Sequence, residues 1–389
     1  MGVSTERSRA ALALLACGAF GCSGHAPKSA ASAPYPAAAD GSSARPPEVA
    51  NRAENAPSSS SKPVSFAGAL SHETIPGEVF SHVWGTDSEL WILGKRHPRP
   101  PAQPTAKCGF GRGEVSSVLR RRTTGAFELV DHPPMTDITS MRGTSSSDLW
   151  LVGLGGGVYQ FDGRVWHQHD IRPAVGPEFK EEACWELSLH SVFPRSPDDV
   201  WIVGYVYPDT TGTGAGLVLH YDGKGWKRHV ILHSVGLFGV WAAGVADVWV
   251  VGESGRLFHY DGRSWLPENA ATDQYLRSVL GTGASDIWAV GNMAVATHFD
   301  GTSWKLRAAN QLHWTMGSLA GSANGGFWAL MTATFPDRIP WGGQSLIHWD
   351  GSAWRAMSHT TDKHQAMADL YMTPGGQLWA VGAHVIRFR

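Results

Sequence analysis

The sequence lacks the two patterns by which α-helical proteins are recognised. The repeated unit described below shows no apolar residues at the 3.6-residue spacing of an amphipathic helix. The uninterrupted apolar run near the start, residues 10–20, is shorter than the roughly 20 residues needed to cross a bilayer. We therefore expect a protein built from strands.

Charged residues are also scarce, at 17% of the chain, below the usual proportion of about a quarter. The formal net charge is −2, and no basic stripe interleaved with aromatic residues is present, so a nucleic-acid partner is not expected. The sequence contains no Gly-x-Ser-x-Gly, His-Glu-x-x-His, Cys-x-x-Cys or phosphate-cradling motif. It therefore predicts no catalytic residue, no cofactor and no metal.

Cysteine is rare, with 4 in 389 residues, and two of them lie near the start. Arg7 and Arg9 precede the short apolar run, which is the arrangement of a secretory signal. The run Leu-Leu-Ala-Cys17 resembles a bacterial lipobox, and Cys22 is a second candidate for the lipidated residue. Residues 1–22 are thus predicted to be a lipoprotein signal peptide, with a plain cleaved signal peptide as the alternative.

Residues 23–63 are dominated by Ser, Ala and Pro and contain almost no large apolar residue. Such a segment cannot bury enough surface to fold, and its prolines keep it extended. We expect a disordered tether that holds residues 64–389 away from a lipid anchor. The predicted location is the cell envelope, as an outer-membrane lipoprotein that faces the periplasm or is exposed on the surface.

The rest of the chain is organised around a repeated unit, clearest in residues 239–265. Its run Asp-Val-Trp-Val-Val-Gly, starting at Asp247, suits a strand covered on both faces. Asp261-Gly262 then separates two β-like runs, which is a strong hairpin signal because both turn residues need positive φ. We also expect Asp247 to bond its own backbone and fix the preceding turn.

Recurrence of this unit predicts the architecture. The hairpin signature Asp-Gly-x-x-Trp begins at Asp162, Asp222, Asp261, Asp300 and Asp350. The tryptophan of the second strand recurs seven times, at Trp91, Trp150, Trp201, Trp249, Trp288, Trp328 and Trp379. The shortest spacings match the roughly 40–45 residues of a four-stranded propeller blade. We predict an all-β, seven-bladed β-propeller of four-stranded antiparallel blades over residues 64–389.

The two ends of this region predict how the ring closes. The last copy supplies only three strands and ends in the run 385–389. Residues 64–70 form a spare β-like run before the first copy. We expect this N-terminal run to provide the missing outer strand of the last blade, because closure removes an exposed sheet edge.

The long insertions all fall on one face of the predicted propeller. We call it the loop face: it carries the connections between second and third strands and between blades. The opposite turn face carries the turns between first and second and between third and fourth strands. The insertions are residues 95–112, 170–187, 205–214, 331–343 and 358–368. Because binding residues concentrate on loops held by a rigid scaffold, the loop face is the predicted binding face.

Three tryptophans fall outside the predicted blade strands, all on the loop face. An exposed tryptophan commonly anchors a ligand, although these three could instead cover the ends of the blade packing. The candidate ligand-binding residues are Trp185, Trp314, Trp341, Glu181, Glu182, Tyr205, Tyr207 and Arg338.

Cys108 and Cys184 lie in two of these long loops, one basic and the other acidic. An exported protein meets an oxidising compartment, so we predict a disulfide between them, with two free thiols as the alternative. Under the loop-entropy model, a bridge of this span would stabilise the fold by roughly 4–5 kcal/mol.

Three other groupings have weaker chemical interpretations. Four histidines, His220, His259, His298 and His348, occupy one slot in four different blades, so they are expected to make a repeated structural hydrogen bond and not to share an ion. The pair Glu181-Glu182 could support glycoside chemistry, but adjacent loop acids usually serve solubility. A loop set, His359, Asp362, His364 and Asp369, could hold a cation, although a solvated loop is favoured.

The motifs Asp-Val-Trp-x-Val-Gly and His-Tyr-Asp-Gly-x-x-Trp resemble the propeller repeats of secreted lipoproteins from myxobacteria and related bacteria. They are also similar to kelch and Asp-box (BNR) repeats, although the Ser/Thr before the Asp box is absent and the Tyr-to-Trp spacing is shorter than in kelch. The resemblance covers about residues 84–389 and implies a propeller fold, which hosts binding proteins and enzymes alike.

Two functions remain open at this point. The first is a non-catalytic, monomeric module, lipid-anchored to the membrane, that binds a carbohydrate, a peptide or an envelope protein on the loop face. The second is a propeller hydrolase or lyase that acts on polysaccharide at the central pocket. The second requires acids or histidines that converge at the axis.

Overall fold

The computed structural model describes residues 71–96, 117–133, 135, 137–176, 186–207, 215–229, 236–308, 313–322, 326–333, 343–360 and 366–388. Within these residues 28 strands form seven four-stranded antiparallel sheets. The inner strands of successive sheets contact one another around a central axis. The predicted seven-bladed β-propeller is therefore confirmed.

Blades are numbered 1 to 7 along the chain, and the strands of each blade run from the axis outward. The inner strands are β2 (Glu78–Gly85), β6 (Ile138–Ser145), β10 (Glu186–Ser196), β14 (Leu237–Gly244), β18 (Leu276–Gly283), β22 (Trp314–Ser322) and β26 (Met367–Met372). The second strands are β3 (Leu90–Arg96), β7 (Asp148–Gly153), β11 (Asp199–Tyr207), β15 (Asp247–Gly252), β19 (Asp286–Gly291), β23 (Gly326–Ala333) and β27 (Leu378–Gly382).

The third strands are β4 (Ser117–Arg122), β8 (Val158–Phe161), β12 (Ala215–Tyr221), β16 (Leu257–Tyr260), β20 (Ala296–Phe299), β24 (Gln344–Trp349) and β28 (Val385–Phe388). The outer strands are β5 (Glu128–Val130), β9 (Trp166–Gln168), β13 (Trp226–His229), β17 (Trp265–Pro267), β21 (Trp304–Ala308), β25 (Trp354–Thr360) and β1 (Ser71–Glu73). One short helix, α1 (Arg172–Val175), follows blade 2. No described helix is long and apolar enough to cross a membrane.

An N-terminal strand closes the ring, as predicted, but it is not the predicted segment. The outer strand of blade 7 is β1, which pairs antiparallel with β28 through Ser71↔Arg387 and Glu73↔Val385. The predicted run, residues 64–70, lies outside the described residues. An outermost strand faces solvent on one side, so the polar Ser-His-Glu sequence can serve there, and apolar character was a poor guide to its position.

The core lies between adjacent blades and repeats around the ring. In blades 2 to 5 the second-strand tryptophan packs against the hairpin tryptophan of the next blade. Ring centroids are separated by 6.1 Å for Trp150–Trp226, 6.0 Å for Trp201–Trp265, 5.5 Å for Trp249–Trp304 and 5.2 Å for Trp288–Trp354. The two recurring tryptophans of the sequence are thus the two halves of one inter-blade contact.

A side-chain network repeats with the tryptophans and accounts for three of the four histidines, namely His220, His259 and His298. Oδ1 of Asp247 accepts hydrogen bonds from Trp249 Nε1 and His259 Nε2, both at 2.8 Å, and the two rings stack with centroids 4.0 Å apart. These three histidines are thus structural, as predicted, whereas His348 lies beside Gly326, which stands in place of the aspartate. The expectation that Asp247 would bond its own backbone was wrong, because its carboxylate joins the second strand to the third.

The equivalent network in blade 2 shows that the histidine slot is replaceable. There Asp148 is fully buried and accepts from Trp150 Nε1 at 2.7 Å and from Gln160 Nε2 at 3.1 Å. The amide of Gln160 thus performs the donation that an imidazole performs in blades 3 to 5.

The Asp-Gly hairpins form where the sequence predicts them, but only the glycine adopts a positive φ, and the expectation that the aspartate does so too was wrong. In blade 3, Asp222 Oδ1 accepts the backbone N–H groups of Lys224 and Gly225, each at 3.1 Å, while Gly223 adopts a φ of 79°. Oδ2 accepts from Lys227 Nζ at 2.5 Å. Hydrogen bonding to Lys227, then to the backbone, lowers the pKa of Asp222 to about 2.

Candidate functional site

Most of the predicted ligand-binding residues lie outside the described part of the chain. These are Glu181, Glu182, Trp185, Arg338 and Trp341. The leader cysteines Cys17 and Cys22 and the predicted disulfide partners Cys108 and Cys184 also lie outside it. Their roles stay predictions.

Trp314 is not the loop residue that the sequence predicted. It begins the inner strand of blade 6, pairs with Ala333 and is half-buried. Its carbonyl accepts the Ala294 N–H at 2.9 Å, and its ring centroid lies 6.3 Å from that of His359. The strand extends further toward the loop face than the repeat suggested, because β22 and β23 are longer than most of their counterparts.

Tyr205 and Tyr207 also lie in a strand. They end β11, where Tyr205 pairs with Ser188 and with Gly216, and Tyr207 pairs with Glu186. The predicted loop of blade 3 therefore starts later than expected. Tyr205 does not line the central channel described next.

The feature that sequence reasoning missed is a ring of bulged residues at the axis. Each inner strand contains an irregularity at the same point near the loop face, where one residue has no partner in the second strand. The seven unpaired residues are Ser81, Thr139, His190, Phe238, Arg277, Gly317 and Ala368. All seven line a central channel with a cavity of about 290 Å³. A bulge re-aims a side chain that would otherwise lie between blades, so these positions face the axis.

Larger side chains of the ring form one stacked group, contributed by blades 3 to 5. The His190 and Phe238 rings stack with centroids 5.0 Å apart and an interplanar angle of 22°. On its other side Phe238 stacks on Tyr275 at 6.2 Å, and the Arg277 guanidinium lies 5.5 Å from the Phe238 centroid. Tyr275 is 38% exposed and precedes β18 on the loop face. We call His190, Phe238, Tyr275 and Arg277 the axial aromatic group.

The axial aromatic group offers a partner both a hydrogen-bond donor and a hydrogen-bond acceptor. His190 Nδ1 donates to the Leu237 carbonyl at 2.8 Å, so a neutral His190 presents Nε2 as an acceptor. Burial, with Arg277 as a smaller cause, lowers the pKa of His190 below its ordinary value. Arg277 Nε donates to Asn292 Oδ1 at 2.8 Å, which fixes the guanidinium at the channel mouth. The group therefore combines a fixed cation, an acceptor and an aromatic surface.

The opposite side of the ring, in blades 6, 7, 1 and 2, carries small residues and leaves space. A Cβ added at Gly317 would meet no atom within 4 Å, and Ala368 is exposed. Beneath them lies Asp369, whose carboxylate accepts from Ser318 Oγ at 2.7 Å and from the Val83 N–H at 3.1 Å. The channel mouth is thus a cleft with one aromatic, cationic wall and one small, polar wall.

The described channel does not provide the full set of groups that glycoside hydrolysis needs. Acids and histidines do occur there, as the enzyme hypothesis requires, namely Asp369, His82 and His190. However, glycosidases generally use two carboxylates on either side of the bond, and Asp369 is the only carboxylate among the described lining residues. Its oxygens are also occupied by Val83, Ser318 and the Leu370 N–H. His359 bonds Ser345 Oγ at 2.9 Å and does not join Asp369.

One sequence signal accompanies the bulged ring but does not locate it. The glycine that ends a second strand pairs with the inner-strand residue just before the bulge, for example Gly291 with Leu276. A Cβ on Gly291 would lie 1.8 Å from the Tyr275 carbonyl oxygen, so the close approach requires glycine. In most blades the residue after this partner is the one that faces the channel. Locating it needs the strand register, which the repeat alone does not provide.

Neither a family model nor a curated protein matches the sequence. Solved structures match at the level of fold. A structure of YCF48 bound to a D1 peptide has 15% identity and a TM-score of 0.54 and covers 84% of this chain and 97% of its own. YCF48 from Cyanidioschyzon merolae has 13% identity and a TM-score of 0.53, with coverages of 82% and 98%. A chain of the mitotic checkpoint complex has 12% identity, a TM-score of 0.53 and coverages of 85% and 97%.

Proposed function

We propose that this protein is a non-catalytic binding module whose partner is a polypeptide, and that the partner docks on the loop face at the mouth of the central channel. The observation that carries the proposal is the axial aromatic group. It supplies a donor in Arg277, an acceptor in His190 Nε2 and an aromatic surface between them. A peptide presents N–H donors, carbonyl acceptors and apolar side chains at short intervals, so all three features can be used at once.

The dimensions of the cleft suit a segment of chain rather than a whole folded surface. A cavity of about 290 Å³ accommodates one or two side chains, with the rest of the partner on the surrounding rim. The small residues of blades 6, 7, 1 and 2 leave the entrance open. One structural neighbour is bound to a peptide, which supports the same kind of partner for this fold.

We further propose that the propeller works as a monomer in the cell envelope, tethered to the outer membrane. The support is the leader of residues 1–22, with Cys17 or Cys22 as the lipidated residue, followed by the Ser/Ala/Pro-rich residues 23–63. Metabolic labelling with a radioactive fatty acid tests the anchor. Labelling lost only in Cys17→Ala, or only in Cys22→Ala, identifies the modified residue, and a native chain that carries no label would overturn the lipoprotein assignment.

Peptides selected from a displayed random library test the binding function. We expect the selected peptides to lose roughly 10-fold or more in affinity for Arg277→Ala and for Phe238→Ala, because residues central to an interface dominate its energy. Leu306→Ala is the matched control, because Leu306 is 44% exposed on the outer strand β21, away from the axis. Equal binding by all variants would exclude the axial site, and failure to select any peptide would reject a polypeptide ligand.

A further inference from the structure

Blade 7 lacks an element that the other blades possess. Its third and fourth strands, β28 and β1, come from opposite ends of the chain, so no hairpin connects them. In blades 2 to 5 the hairpin covers the turn between the first two strands of the same blade. For example, a Cβ on the hairpin residue Gly262 would lie 2.6 Å from the Ala246 side chain. Among the described residues, the corresponding turn of blade 7, residues 373–377, has no such hairpin over it.

A large cavity lies at this position on the turn face, between blades 7 and 1. Its volume is about 760 Å³, within the roughly 300–1,000 Å³ typical of sites for small molecules. One wall is formed by the two turns of blade 1, around Ser88 and Thr124, and the other by the turn and outer strands of blade 7. This cavity faces away from the loop face and shares no lining residue with the central channel.

Trp379 in this cavity differs from most of its counterparts. The second-strand tryptophans of blades 1 to 5 are at most 2% exposed, whereas Trp379 is half-buried and lines the cavity. Blade 1 has Phe127 in place of the hairpin tryptophan that would pack against it. Two guanidinium groups border the indole, with Arg122 at 5.0 Å and Arg387 at 5.6 Å from its ring centroid.

The charged groups of the cavity are already paired within the protein. Glu73 binds Arg122 at 2.6 Å, and Arg387 Nε donates to Gln377 Oε1 at 2.8 Å. Asp87 Oδ1 accepts the Gly375 N–H at 2.7 Å. Glu89 forms an ion pair with Arg121. An ionic ligand would have to compete with these partners, so the cavity favours a ligand without net charge.

What the cavity offers beyond these pairs is a dense set of hydroxyl groups next to an aromatic ring. Six side chains contribute hydroxyls, namely Ser71, Thr86, Ser88, Thr123, Thr124 and Thr373. Hydroxyls both donate and accept, and paired carboxylates and guanidiniums retain further lone pairs and N–H groups. Neighbouring donors and acceptors around an amphipathic aromatic surface match the vicinal hydroxyls and the C–H faces of a sugar ring.

We infer that this closure cavity is a binding site for a neutral oligosaccharide, with Trp379 as the aromatic wall and Ser88, Thr124 and Arg387 among its polar contacts. The site is independent of the proposed polypeptide site, because it lies on the opposite face and uses different residues. A protein anchored in an envelope would then carry one face for a polypeptide and another for glycan.

Calorimetric titration of the full chain with maltotriose, cellotriose and chitotriose tests the inference. We expect at least one of these probes to bind with a Kd of about 1 mM or tighter. Ser88→Trp should abolish the binding, because Ser88 is exposed in a cavity-lining turn and the larger side chain fills the space. Arg387→Ala should weaken it at least 5-fold. Arg263→Trp is the control, because it adds the same bulk to an exposed hairpin of the turn face in blade 4.

Several results would overturn the inference. Absence of binding by all three trisaccharides would exclude the site, and so would binding that survives Ser88→Trp. Loss of binding in Arg263→Trp would also exclude it, since that residue lies outside the cavity. A melting curve for each variant identifies any change that acts through unfolding. Loss of sugar binding in Arg277→Ala would place the sugar in the central channel and would also overturn the inference. If the two sites are independent, Ser88→Trp leaves peptide binding unchanged.

Discussion

Arg122 Nη1 lies 2.6 Å from Glu73 Oε2, so an ion pair links the outer strand of blade 7 to the third strand of blade 1. The two residues belong to strands that meet only when the ring is closed. The guanidinium of Arg122 also lies 4.2 Å from the Phe127 centroid and 5.0 Å from that of Trp379. One side chain therefore joins the two blades through both charge and aromatic contact.

Removal of β1 should open the ring, whereas removal of everything before it should not. A chain that begins at residue 71 retains the pairing of Ser71–Glu73 with β28, and a chain that begins at residue 75 exposes the β28 edge. We expect the shorter chain to melt at a clearly lower temperature and to aggregate, and the longer one to match the full chain. Equal melting temperatures for the two chains would contradict closure by β1.

The ion pair itself should contribute much less than the strand. Glu73→Gln is expected to lower the free energy of unfolding by less than about 1 kcal/mol, because the Glu73 side chain is 39% exposed and solvent screens the attraction. A double-mutant cycle with Arg122→Met in urea measures the coupling. A coupling energy as large as the stability that is lost when β1 is removed would show that charge, and not strand pairing, closes the ring.

The Trp–Asp–His network of blade 4 should matter more to stability. Asp247→Ala leaves Trp249 Nε1 without its acceptor, although Trp249 is only 2% exposed, and also deprives His259 of a partner. We expect a loss of about 1–3 kcal/mol in the free energy of unfolding. Asp273→Ala provides the control at an exposed aspartate between blades 4 and 5. Equal losses in the two variants would contradict a structural role for the Asp247 carboxylate.

The hairpin aspartates should make the protein sensitive to acid. Folding lowers the pKa of Asp162 and of Asp222 to about 2, and Asp300 and Asp350 are lowered further by their hydrogen bonds. Because the pKa of each of these aspartates is lower in the folded chain, the unfolded chain binds protons at a higher pH than the folded chain does. The stabilisation is therefore complete above a pH of about 4, the unfolded value, and is lost as the pH falls toward 2.

Lys227→Met isolates one cause of this acid sensitivity. The hydrogen bond from Lys227 is the largest contribution to the lowered pKa of Asp222, and the backbone N–H groups supply the rest. In melting curves between pH 5 and pH 2.5 the variant should lose less stability than the native chain, while Asp222→Asn should lose least. An unchanged pH dependence in both variants would show that the hairpin carboxylates do not govern acid unfolding.

His229 should produce a second pH dependence at higher pH. Burial, followed by His220 and Lys227, lowers its pKa to about 4, and its ring lies 5.0 Å from that of Trp201. A histidine whose pKa is lowered by folding costs stability as the pH falls from about 6.5, where the unfolded residue titrates, to about 4. His229→Gln should flatten the stability profile across this interval, and NMR titration of the His229 ring measures the pKa directly.

The repeat was a reliable guide to the fold for a physical reason. Trp249 and Asp261 act within one blade or between neighbours, so their roles follow from local spacing and are repeated around the ring. Phe238 and Arg277 reach the axis only because a bulge interrupts the pairing of each inner strand. Composition does not reveal register, so the axial site could not be read from the chain. Ser71–Glu73 was missed because pairing with β28, not apolar character, defines it.

A substitution at Gly317 tests whether the partner enters the channel or stays on its rim. A Cβ at Gly317 would have no neighbour within 4 Å, and its φ does not lie in the left-handed region, so a large side chain can be added there without backbone strain. Gly317→Phe should therefore leave the melting temperature within a few degrees of the native value. It fills the open side of the cleft, opposite His190 and Phe238.

If the selected peptides insert a side chain at the axis, Gly317→Phe should weaken their binding roughly 10-fold or more, as Arg277→Ala does. If they contact only the rim, the substitution should leave their affinity unchanged while Tyr275→Ala still reduces it, because Tyr275 lies at the outer end of the axial aromatic group. Unchanged binding in both variants would move the polypeptide site away from the channel and onto the long loops of the loop face.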